Sequence, residues 1–86
     1  LKRLGIKFLV LDVLKPHQPP LAEFAEYIGE LKPVTKVDVG LEEIDERTES
    51  LKVTVEGNNI DFDELKEHIA RIGAVVHSVD KVVVAE

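Results

Sequence analysis

Cysteine, methionine and tryptophan are absent from these 86 residues, and aromatic residues make up only 5%. Without cysteine there can be no disulfide, zinc–thiolate site, redox pair or thiol nucleophile. A chain with no methionine even at its first position is expected to have been trimmed at its start. Long apolar runs are missing too: none exceeds that of Phe8–Leu11, far short of the about 20 residues that span a bilayer. Lys2-Arg3 is followed by no signal-peptide core, so a cytoplasmic protein is expected. Basic residues are in deficit, 11 Lys and Arg against 17 Asp and Glu, and the net charge of -6 repels phosphate backbones and anionic lipid. Neither nucleic acid nor a membrane is expected as a partner.

What is present suits one domain over residues 1–86, with 44% hydrophobic and 33% charged residues. A chain this short buries only roughly 60–65% of its unfolded surface, so help from neighbouring subunits is expected. Residues 6–15 are rich in branched apolar side chains and run into Pro16, the mark of a strand. Leu21, Phe24, Ala25, Ile28 and Leu31 recur at helical spacing between Pro20 and Pro33. Val37, Val39 and Leu41, then Leu51, Val53 and Val55, alternate with polar residues as two half-buried strands, joined by a hairpin over residues 45–49. Asp61 as N-cap, Glu64 three residues on, and Ile60 set against Leu65 open a second helix, which Arg71 and Gly73 close. Residues 74–84 form the last strand. This order predicts the ferredoxin-like βαββαβ fold, an α+β domain whose antiparallel four-stranded sheet, strands four, one, three and two across, carries two helices on one face.

That topology gathers His17, His68 and His77 with the hairpin acids Glu43, Asp45, Glu46 and Glu49 toward one end of the sheet. Pairing the first and last strands with Lys15 opposite Ala74 sets Asp12 opposite His77; a slip of one residue sets it opposite Ser78 instead. In the hairpin, Asp45 opposite Glu49 brings Leu41 to Val53 and Glu42 to Lys52 as an ion pair. Leu9, Leu11 and Val13 suit the helix-covered core, which turns Phe8, Val10 and Asp12 to the open side. In the last strand Val75, Val79 and Val83 share one face and Val76, Val82 and Val84 the other, so burial on both sides is expected. Phe8, Val10, Val79, Val82 and Val84 are thus the expected interface of a homo-oligomer.

Asp12 is an acid inside an apolar strand and must be paired, metal-bound or protonated. Its plain reading is a salt bridge to a neighbouring lysine. Its functional reading joins it with His17, His77 and Asp80 in a site for a divalent cation or a small polar ligand. Oxygen donors without thiolates favour Ca²⁺ or Mg²⁺ over zinc. No His-Glu-x-x-His or EF-hand spacing supports the metal. His68 reads as a helix-boundary residue, His17 as loop architecture, and Asp61 and Asp63 as acids at a helix start.

Catalysis finds little support. Ser78 and His77 are neighbours on a strand and point to opposite faces, which excludes a triad with Asp12. Gly57-Asn58-Asn59 is not a phosphate loop. The third strand lacks the aromatics of RNA-binding sheets of this shape, and the loop after the first strand lacks the arginine of acylphosphatase-like sites. A non-enzymatic module is expected. The alternatives are a regulatory module resembling amino-acid-sensing domains, with its effector at subunit interfaces, and a metal-dependent hydrolase.

Three segments together resemble a known family: LDVLKPHQPP at Leu11–Pro20, LEEIDERTESLKVTVEG at Leu41–Gly57, and IDFDELKEHIARIGAVVHSVDKVVV at Ile60–Val84. They are similar to the small archaeal family named domain of unknown function 211. The resemblance implies a ferredoxin-like fold, assembly into ring-like homo-oligomers and calcium as a candidate ligand. It implies no activity and transfers no catalytic residue.

Overall fold

The computed structural model describes residues 2–86. Six elements follow in order: β1 (Gly5–Pro16), α1 (Leu21–Gly29), β2 (Val34–Ile44), β3 (Thr48–Gly57), α2 (Phe62–Ala70) and β4 (Val75–Ala85). The strands pair antiparallel in the order β2-β3-β1-β4, the expected ferredoxin-like sheet. The period-two face of β1, Leu9, Leu11 and Val13, is buried with its β3 partners Val55, Val53 and Leu51. Phe24 and Ile28 of α1 and Leu65 and Ile69 of α2 close this core from above. Asp61 caps α2 by accepting a hydrogen bond from the Glu64 amide at 3.1 Å. Gly73 ends the helical segment at φ 85°, where a side chain would be strained.

Two registers differ from the alternation read in the sequence. In the hairpin, Leu41 faces Leu51 and Gly40 faces Lys52, because an irregularity between Leu41 and Glu43 leaves Glu42 without a partner. The turn is also tighter, with the Asp45 amide donating to the Thr48 carbonyl at 2.8 Å. Glu42 therefore does not pair with Lys52, and the side of Lys52 toward β2 meets a glycine. In the β1–β4 ladder, Asp12 faces Ser78, the slipped register, and the ladder skips His77 and Asp80.

These irregularities change the phase of β4. Val76, Val79 and Val82 stand opposite Val13, Leu11 and Leu9, and Val84 stands opposite Ile6, so all four share the helix side. Val75 and Val83, opposite Leu14 and Phe8, lie on the open side. The expected grouping of Val79 with Val75 and Val83 fails because a skipped residue reverses the alternation.

β4 is an edge strand, and five of its valines are 37% to 60% exposed in the single chain. Val75 and Val83 lie on the open face, away from the helices, and for Val79, Val82 and Val84 on the helix side the reason is length. The nine residues of α2 span about 13 Å, whereas the eleven of β4 span about 36 Å.

Candidate functional site

The central row of the open sheet face is polar. Asp12 of β1 stands opposite Lys52 of β3 on one side and Ser78 of β4 on the other. Lys52 Nζ lies 2.9 Å from Asp12 Oδ1 and 2.6 Å from Asp80 Oδ2. Ser78 Oγ lies 3.0 Å from Asp12 Oδ2 and 3.1 Å from Asp80 Oδ1, and its single proton can serve only one of them at a time. Asp12 Oδ1 is buried and has no hydrogen-bond partner beyond its ion-pair contact with the ammonium. The Lys52 hydrogen bond, followed by that from Ser78, holds the Asp12 carboxyl below its usual 3.8. Asp80 and then Asp12 push Lys52 well above the ordinary lysine range. An ammonium thus stands between the two carboxylates that were expected to hold a divalent cation.

Beside this row, a cleft of about 590 Å³ opens toward the hairpin end, walled by Asp12, Leu14, Glu42, Glu43, Ser50 and His77. Skipped by the ladder, His77 shares this cleft with Asp12, although no side-chain hydrogen bond joins them among the described residues.

His17 lies elsewhere. Its Nδ1 is 3.1 Å from Glu49 Oε2 and its Nε2 2.9 Å from the Glu46 carbonyl, at the hairpin turn. The four candidate ligands therefore divide: Asp12 and Asp80 share Lys52, His77 faces the cleft, and His17 is tied to the hairpin. Among the described residues, no group of three or more His, Cys, Asp or Glu side chains is placed to hold a metal.

Three further residues acquire roles that sequence reasoning missed. Lys15 is wholly buried, and its Nζ meets the carbonyls of Pro16, His17 and Pro19 at 2.8, 3.3 and 2.6 Å and Glu49 Oε1 at 3.0 Å. The signal was available: Lys15 continues the alternation of Leu9, Leu11 and Val13, the face that turns inward. Glu49 is the second, binding Lys15 with one oxygen and His17 with the other. His68, expected at a boundary, is buried at 8% exposure. It stacks on Tyr27 with ring centroids 3.8 Å apart, donates from Nε2 to the Tyr27 carbonyl at 2.7 Å, and accepts the Tyr27 hydroxyl at its own carbonyl, which clasps α1 to α2. This stack removes His68 from any open site.

Among the described residues no helix is long and apolar enough to cross a membrane. The profile of the DUF211 family, described as uncharacterized ArCR, matches residues 7–86. The uncharacterized protein MJ0319 of Methanocaldococcus jannaschii is 47% identical over 79 residues, which cover 92% of this chain and 81% of that protein. With a family match over nearly its whole length and a relative this similar, the chain belongs to the DUF211 family of uncharacterized archaeal proteins.

Proposed function

We propose that this chain is a non-enzymatic, cytoplasmic subunit of a homo-oligomer, and that a neighbouring copy grips the β4 edge from both faces. The observation that carries the reading is the row of β4 valines, 37% to 60% exposed on a strand whose outer edge has no partner among the described residues. Val79, Val82 and Val84 offer an apolar strip on the helix side, and Phe8, Val10 and Val83 continue it on the open side. Fully burying a valine side chain contributes about 1.5–3 kcal/mol, so completing the burial of five half-exposed ones contributes about 5 kcal/mol. Association costs about 4–15 kcal/mol, so the contact must reach beyond these five valines to Phe8 and Val10 of the open face. A homo-oligomer is also what the sequence resemblance implies, which supports a second copy as the occupant.

The polar row serves this reading as structure. Lys52 neutralises Asp12 and Asp80 in part, its ammonium in contact with both carboxylates. A second reading, a regulatory module for a small polar effector, is favoured by the cleft at His77, Glu42 and Glu43.

Native mass spectrometry with and without chelator tests the proposal. The expected result is a discrete, metal-free oligomer that Val82→Glu and Phe8→Glu reduce to smaller species while circular dichroism stays unchanged. A monomeric parent protein would overturn it, and an oligomer indifferent to both substitutions would remove β4 and the open face as the contact.

A further inference from the structure

The loop between β1 and α1 is fastened to the β2–β3 turn through one imidazole. Both ring nitrogens of His17 face oxygens that only accept: the Glu49 carboxylate at Nδ1, 3.1 Å, and the Glu46 carbonyl at Nε2, 2.9 Å. A neutral imidazole has one N–H and one lone pair, so it can satisfy one of these contacts and must set a lone pair against an oxygen at the other. Only the imidazolium donates to both.

We propose that His17 is a pH-operated clasp, fastening the β1–α1 loop to the hairpin turn as an imidazolium and releasing one of the two contacts as a neutral ring. The groups around it favour the charged form. Glu49 faces it from β3, and the carbonyls of Glu46 and Asp45 face it from the turn. Lys15 of β1 meets the other oxygen of Glu49 and helps keep that carboxyl ionised. The Glu49 hydrogen bond, then that of the Glu46 backbone, raises His17 above its usual 6.5. The His17 contact, then Lys15, lowers Glu49 below its usual 4.5.

The sign follows from linkage. A raised histidine contributes stability that is complete below 6.5 and is lost as pH rises through the higher folded value. A lowered carboxyl contributes stability that is complete above 4.5 and is lost as pH falls through its folded value. The clasp is therefore fully closed between these limits and opens on the alkaline side. The same hairpin carries Glu42, Glu43 and Ser50 into the cleft, so opening loosens one of its walls.

Proton NMR titration of the three histidine rings tests this, on the parent protein first and then on Glu49→Gln. His17 should titrate above 6.5, and Glu49→Gln should move its midpoint downward. Amide exchange in the hairpin turn, corrected for the intrinsic pH effect, should be several-fold faster at about pH 8.5 than at about pH 5.5. A His17 midpoint at or below 6.5, one unmoved by Glu49→Gln, or corrected exchange equal at the two pH values would overturn the clasp.

Discussion

Replacing Lys15 by methionine should be among the most damaging single changes outside the apolar core. Methionine keeps the unbranched stem that fills the core-facing position and removes only the ammonium. The carbonyls of Pro16, His17 and Pro19 and one oxygen of Glu49 then lose a donor that lay 2.6 to 3.3 Å away. A buried acceptor left unsatisfied costs about 1–3 kcal/mol, and breaking a buried ion pair costs about 3–5 kcal/mol. The loop carbonyls belong to half-buried residues that water can partly reach, which holds the total to about 3–5 kcal/mol. A chain of 86 residues has about 4–13 kcal/mol of stability in all. In urea, with a slope of about 1 kcal/mol per molar, the midpoint followed by far-ultraviolet circular dichroism should fall by about 3 M or more. Combining Lys15→Met with Glu49→Gln should show a coupling smaller than the Lys15→Met loss itself, since three of the four oxygens belong to the loop. A loss below about 1 kcal/mol would refute the reasoning, because water would then be serving those oxygens as well as the ammonium does.

Lys52→Gln should return the Asp12 carboxyl toward its usual 3.8, so that less stability is lost as pH falls through the folded value. The same variant should gain thermal stabilisation from Ca²⁺ that the parent protein lacks, and an equal gain in the parent would show that the carboxylates bind a cation despite Lys52. Three glycines rank by what a methyl group would meet. Gly57→Ala drives it into the Pro33 carbonyl and should cost about 1–3 kcal/mol. Gly73→Ala meets only Pro16 Cγ at 3.7 Å, so its cost of about 1–2 kcal/mol is that of the left-handed backbone. Gly40→Ala finds no atom within 4 Å and should be neutral or stabilising. Thermal midpoints in any other order would contradict these assignments.

The fold was legible because its signals are local. Alternation in Leu9, Leu11 and Val13, helical spacing from Leu21 to Ile28, and the Asp61–Glu64 cap each act within one element, and the element order left one economical way to bury those faces. Sequence alone also marked Asp12 as an acid needing a partner, and the alternation already placed Lys15 on the inward face of β1. What it could not specify were the registers, since skipping Glu42, His77 and Asp80 costs the chain little locally and changes every pairing beyond. Those skipped residues decide that Lys52 faces Gly40 instead of Glu42, that Asp12 faces Ser78, and that Val79 joins the helix side. Only the tertiary structure brings Glu49 between Lys15 and His17, because no spacing along one strand encodes what a loop 32 residues away will meet. Periodicity determined the inward and outward faces; long-range pairing decided which charges meet across them.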